Sequence, residues 1–364
     1  MVPSSMSQRR TTVQMNLFDF RKGEETTWLL PPWGYALGIG VNPLFLELDG
    51  RIRPIGTAFN LGGGVGFTVT AWHCIEEAIR QDPALSRRMN LGETPAASTL
   101  QRGGLYILRN YAIEGGVQFR LVALEHVTAG PPGDVVFCSP HFIEGEPAME
   151  HSISFGLPEP DDVVHAVGYC NFRFPDGGIP LAEAADFDWS RDYAHEFRVV
   201  EGAIQNVFLR EYAASYLRGP CFTFAGDLRS GMSGGPIFDL RRGVIFGMNS
   251  ATAFDVNQSL GSLFFPYVLN AITFGANIFG NPNFRINGTR RIIDLLDSGG
   301  IRSDGSFRDL AYQQLPEGLA VSMPIAKSYK GRAFENFAGL QAGTPPSTFD
   351  GPTFVLRRAQ EAEE

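Results

Sequence analysis

Cysteine is scarce in this sequence. The four residues Cys74, Cys138, Cys170 and Cys221 lie at wide, irregular intervals in a chain of 364. Such a set makes no disulfide framework, and a chain of this length can bury enough surface to fold without one. Reduced, mostly buried thiols in a cytoplasmic protein are the expected state. Histidine is nearly as sparse: His73, His126, His141, His151, His165 and His195 form no close ligand spacing with cysteine, so no structural zinc or other metal is expected. The 30 Lys and Arg are scattered and outnumbered by 39 Asp and Glu, giving a formal charge of -9. Without a basic run interleaved with aromatics, a nucleic-acid groove is not expected. Long apolar runs are missing too. Met1 to Asp19 lacks the unbroken hydrophobic segment of a secretory leader, and the longest charge-free stretch, between Asp255 and Arg285, holds Pro266 with several Asn and Gly. No membrane span is expected, and there is no internal repeat or heptad pattern.

What the chain does have is turn residues and short apolar segments. It carries 42 glycines and 24 prolines, which disfavours long helices. Strand candidates are Ile55–Asn60, Val65–Thr70, Tyr106–Leu108, Phe119–Leu124, Asp134–Cys138, Val163–Tyr169, Phe197–Phe208, Gly235–Phe238, Val244–Met248 and Ser262–Phe265. The first two flank Leu61–Gly62–Gly63–Gly64, which reads as a tight turn. A short helix is predicted over Glu76–Gln81. Many short strands without alternating helices point to an all-β barrel or sandwich. Five regions follow: a weakly ordered lead-in over 1–30, β-rich halves over 31–150 and 151–275, a mixed helical extension over 276–340, and a polar tail over 341–364. The composition changes after about residue 266, and Val268–Ile272 and Arg290–Leu296 have helical spacing, the latter stopping at Gly299–Gly300.

Three segments carry chemistry. In Gly231–Met232–Ser233–Gly234–Gly235–Pro236 a serine sits in a glycine-rich turn just before an apolar strand. A nucleophilic serine needs that setting: glycines permit the backbone path and leave amides open to a developing oxyanion. The same pattern also suits a plain hairpin. Phe67–Cys74 is an apolar run that reaches His73, and histidine is suited to take a hydroxyl proton near neutral pH, although it could equally be a core residue. Asp134 stands at the mouth of the apolar strand that follows Pro131–Pro132–Gly133, where a carboxylate could orient the imidazole or merely edge a turn. Asp161 and Asp162 are weaker alternatives in a polar turn.

Taken together, these segments resemble the trypsin-like serine proteases, in particular their bacterial-type branches. Thr70–Ala71–Trp72–His73–Cys74, Asp134 with its following aliphatics, and Gly231 to Pro236 are similar to that family's three catalytic segments in the same chain order, and Gly56–Thr57–Ala58–Phe59 resembles the strand before the histidine strand. The resemblance spans about residues 35 to 275. It implies two packed six-stranded antiparallel β-barrels of the chymotrypsin-like type, the first carrying His73 and Asp134 and the second Ser233. It also implies a Ser-His-Asp endopeptidase acting on protein or peptide substrates, with no cofactor. Gly231 and Ser233 would form the oxyanion hole, Asp227 would stand at the base of a pocket for substrate Arg or Lys, and Met248, Asn249 and Ser250 would hold the substrate backbone. Departures are visible. Met232 replaces the aspartate that receives a new N-terminus in secreted members, so that activation route is absent, and Cys74 lacks its usual disulfide partner near position 58. A silent member of the fold that binds peptides, or one needing an activating protein partner to order the loop around Met232, is the alternative. A lipase-type hydrolase is disfavoured because His73 precedes Ser233 and a strand follows it.

Overall fold

In the computed structural model the chain is built mainly of antiparallel strands. The structure describes residues 27–28, 40–62, 67–81, 98–99, 104–113, 116–129, 133–140, 151–209, 217, 219–253, 258–277, 285–315, 318–323 and 353–357. Parts of the glycine turn, the lead-in and the tail lie outside these residues.

The first sheet contains β1 (Val41–Leu48), β2 (Arg51–Asn60), β3 (Thr68–Ala71), β4 (Leu105–Ile113), β5 (Gly116–Ala129) and β6 (Val135–Pro140), with the helix α1 (Trp72–Gln81) after β3. Its pairing order is β2, β1, β4, β5, β6, β3, and β3 returns to β2, so the sheet curls back on itself. The β1–β4 joint is short, with three residue pairs from Leu44↔Ile107 to Leu46↔Leu105. The second sheet contains β7 (Val163–Arg173), β8 (Ala194–Phe208), β9 (Cys221–Phe224), β10 (Pro236–Asp239), β11 (Val244–Ala253) and β12 (Gln258–Leu263). They pair in the order β8, β7, β10, β11, β12, β9, and β9 closes on β8 as a six-stranded barrel. The architecture is consistent with the chymotrypsin-like arrangement that the sequence resemblance implies.

Strand β1 shows how sequence becomes packing. Alternate side chains of a strand face opposite sides. Leu44 and Leu46 enter the first interior with Ile107, Val122 and Leu124, whereas Phe45 faces outward into a second cluster with Trp189 and Tyr193. Its ring lies 5.5 Å from Trp189 and 5.7 Å from Tyr193, edge-on and tilted respectively. The strand is therefore buried on both faces, and its sequence is hydrophobic at successive positions. A third cluster spans the seam, joining Val41, Phe59 and Phe137 of the first half to Val167, Tyr169 and Phe264 of the second.

The segment after the second barrel has more strand than the helical spacing predicts. Val268–Ile272 does not form a helix: a 3-10 turn occupies Phe265–Tyr267, and β13 (Ala271–Asn277) then pairs with β14 (Arg285–Arg291). The helix α2 (Ile292–Asp297) follows, and Gly299 takes φ +74° just beyond it, as the expected stop requires. Three further strands, β15 (Ala311–Leu315), β16 (Gly318–Ser322) and β17 (Thr353–Arg357), make a small antiparallel sheet, placing paired backbone inside the segment read as a polar tail. Leu295, Leu296, Ile301, Phe307 and Leu310 belong to the same apolar cluster as the seam. The main chain of Arg302 donates to the Gly62 carbonyl at 2.7 Å and accepts from the Ile153 amide at 3.0 Å.

Candidate active site

Helix α1 begins at the end of β3, so His73 lies in its first turn, a few residues earlier than the predicted helix. The opening amides of a helix need partners from outside it, and a negative charge there is favoured. Asp134, at the start of β6, supplies both. Its carbonyl accepts from the Trp72 amide at 2.6 Å, and its Oδ1 accepts from the His73 amide at 2.9 Å. The same carboxylate lies 2.9 and 3.0 Å from His73 Nδ1. One buried carboxylate thus fixes the helix start and the ring it carries. The His73 side chain keeps 42% of its surface exposed while Asp134 keeps 7%, so the imidazole is open to a ligand and its anchor is not. Burial of the ring lowers its pKa. The neighbouring Cys74, the Asp134 carboxylate and hydrogen bonds to both raise it, leaving it well above the ordinary 6.5.

Ser233 belongs to the other half of the molecule yet lies beside this pair. Cys74 Sγ sits 3.8 Å from His73 Nε2 and 3.9 Å from the Ser233 carbonyl, bridging ring and turn. The Ser233 hydroxyl donates to the Ser250 carbonyl at 3.4 Å in this conformation. Around it the turn is held tightly. Gly231 and Gly234 have φ +98° and +85°, a region that favours glycine. The Met232 amide donates to the Arg229 carbonyl, that of Gly234 to Asn249 and that of Gly235 to Met232, at 2.8–3.0 Å. Among the described residues, the amides of Gly231 and Ser233 have no acceptor, nor does that of Ser230 at the start of the turn. Two spare donors on one tight turn are what a developing oxyanion needs.

No protein-family model matches the sequence, and a search of curated proteins finds no match. Solved structures are similar at a coarse level. A protease Rv3671c from M. tuberculosis in its active form shares 16% identity at a TM-score of 0.38, covering 64% of this chain and 79% of that one. The MamO protease domain from Magnetospirillum magneticum shares 13% at 0.38, covering 64% and 95%. A catalytically inactive tobacco etch virus protease complexed with substrate shares 12% at 0.36, covering 78% and 94%. These neighbours are proteases. At such low similarity, the roles of individual residues come from this chain's own geometry.

The residues read as substrate contacts are placed differently from one another. Asp227 Oδ2 is 2.5 Å from Arg229 Nη2, so its charge already has a partner. Met248 and Asn249 are fully buried in the barrel wall. Asn249 Nδ2 donates to the carbonyls of Val167 at 2.8 Å and Met232 at 3.2 Å, a structural task that keeps its side chain from a ligand. Ser250 is buried too, its hydroxyl paired with Ser262 at 2.8 Å, but its carbonyl faces the Ser233 hydroxyl. Two contributors carried no separate sequence signal. Thr57 in β2 bonds the Ser233 turn, and the Tyr267 hydroxyl accepts from the Val135 amide, next to Asp134, at 3.1 Å. Among the described residues no group of three His, Cys, Asp or Glu could hold a metal ion, and no helix is long and apolar enough to cross a membrane.

Proposed function

We propose that the protein is a serine endopeptidase in which His73, Asp134 and Ser233 act as a triad. One observation supports this above the others: a solvent-open imidazole anchored by a buried carboxylate lies beside a serine turn with two unused amides. In this reading the Ser233 hydroxyl turns from the Ser250 carbonyl towards His73 Nε2. The ring takes its proton as Oγ attacks a peptide carbonyl, Asp134 stabilises the imidazolium through Nδ1, and the amides of Gly231 and Ser233 hold the oxyanion. The imidazolium then protonates the leaving amine, and water, deprotonated by the same ring, releases the acid from Ser233.

The substrate backbone is proposed to add to β11 from Ser250 onward. Among the described residues β10 pairs with β11 as far as Met248 and the serine turn bonds both the amide and the carbonyl of Asn249, so strand pairing on that edge stops before Ser250. Met248 and Asn249 then serve as wall rather than contact. Selection of Arg or Lys would require displacing Arg229 from Asp227, and the ion pair gives that selection no support.

A peptide-binding module without cleavage is the second reading, favoured by the Ser233 hydroxyl facing Ser250 rather than the imidazole. A fluorophosphonate probe separates the two. Labelling of the full chain at Ser233, lost in Ser233→Ala, is expected for the peptidase. Absence of labelling in the wild-type chain, with peptide binding retained, would select the module.

A further inference from the structure

The serine turn has no charged anchor, since Met232 points into the core and is fully buried. What holds it is a residue of the other half. Thr57 lies in β2, 174 positions from Gly231, and its hydroxyl donates to the Gly231 carbonyl at 2.8 Å. The same oxygen accepts from the Tyr169 amide at 2.9 Å, so its own proton is directed at Gly231. The Thr57 amide donates to the Ser233 carbonyl at 2.9 Å.

A peptide group is planar, so fixing its carbonyl fixes the amide across it. The Gly231–Met232 peptide is held at both ends, by Thr57 Oγ1 and by the Arg229 carbonyl. The Met232–Ser233 peptide is held through the Met232 carbonyl, which accepts from the Gly235 amide and Asn249 Nδ2, turning the Ser233 amide the other way. The Ser233–Gly234 peptide is held by the Thr57 amide and the Asn249 carbonyl. Three successive planes are pinned, and Thr57 pins the first and the third. Only a side chain that can accept and donate at one atom serves at the first; valine, of the same shape, cannot.

We infer that the Thr57 hydroxyl is a positioning residue for the oxyanion turn, locking from the opposite barrel the Gly231–Met232 peptide that leads into the Ser233 amide, so that the turn stands formed without an ionic or proteolytic trigger. This rests on the peptidase reading for its catalytic consequence but not for the brace itself, and the test keeps the two apart. Thr57→Val and Thr57→Ser are compared with the wild-type full chain by amide hydrogen exchange across 229–235 and by the rate of Ser233 acylation with a fluorophosphonate. Thr57→Val is expected to speed exchange in the turn about tenfold while the barrel strands stay protected, and to slow acylation about 10- to 100-fold. Thr57→Ser is expected to restore both to within a few-fold, and with a peptide substrate the loss is expected in kcat rather than KM. Unchanged exchange in Thr57→Val overturns the brace; faster exchange with unchanged acylation overturns its catalytic role. If the valine variant does not fold, Thr57→Ala deletes the same hydroxyl without adding bulk and is read against the same outcomes. A wild-type chain that takes no label removes the peptidase reading, and exchange still decides whether Thr57 holds the turn.

Discussion

At the scale of single residues, Asp134 does two jobs with one carboxylate, and the two separate in experiment. A general base must be unprotonated, so the rate should rise with pH as His73 loses its proton, and the raised pKa puts that rise above 6.5. Asp134→Asn removes the charge that helps hold the proton on the ring. The rising limb of kcat/KM is therefore expected at lower pH than in the wild type, with a ceiling lower on the order of 10⁴-fold. A pH profile of both proteins checks it; an unmoved limb would mean that Asp134 only starts the helix. His73, Asp134 and Ser233 were legible in the sequence because each is a reactive side chain at the end of an apolar run. Thr57 was not, since its role lies in an acceptor 174 positions away that no local pattern reports. For Asp227 the position relative to Ser233 suggested a pocket and the neighbouring Arg229 a partner, and the two side chains do pair.

At the scale of elements, the serine turn fits against β2 and β3 so closely that a methyl group has nowhere to go. A Cβ on Gly234 would fall 2.2 Å from the Thr57 carbonyl oxygen and 2.4 Å from Thr70 Oγ1, at a φ of +85°. Backbone strain and overpacking together are expected to cost Gly234→Ala about 2–4 kcal/mol and to abolish Ser233 labelling. Urea unfolding with parallel probe labelling tests this, and a variant that keeps both stability and label would show the turn to be looser than it is drawn. Element reading from sequence followed the same physics. Val163–Tyr169 and Phe119–Leu124 were legible as strands, whereas β1, buried along nearly its whole length and interrupted by Pro43, offers no alternation, and β9 is only four residues long. The five apolar-rich residues Val268–Ile272 carry a spacing compatible with helix or strand, and tertiary pairing with β14 decided for strand at their end.

At the scale of the whole molecule, the aromatic packing behind the site makes stability depend on acid. The His195 ring lies 4.5 Å from Tyr169 and 5.0 Å from Tyr193, and neither its Nδ1 nor the Tyr193 hydroxyl has a partner. Burial pushes its pKa down to about 4. A lowered histidine pKa means that the unfolded chain binds the proton more readily, so stability should be full above about 6.5 and decline as pH falls through 6.5 towards 4. The decline from this group is at most about 3 kcal/mol, and His195→Phe should flatten it. Urea midpoints at pH 7 and 4.5 for both proteins give the comparison; equal slopes would assign the acid sensitivity elsewhere. The paired β-rich halves were foreseeable from short strands and the order of the reactive segments. The attachment of the later chain was not, because Ile301, Phe307 and Leu310 join a core whose other members lie far away in sequence.

Arg302 bonds Gly62 on one side and Ile153 on the other, so the later chain ties together two segments that the Gly62 amide and the His151 carbonyl already join at 2.8 Å. A cut or a crosslink in the later chain is therefore expected to be felt first where it holds residues 62 and 153.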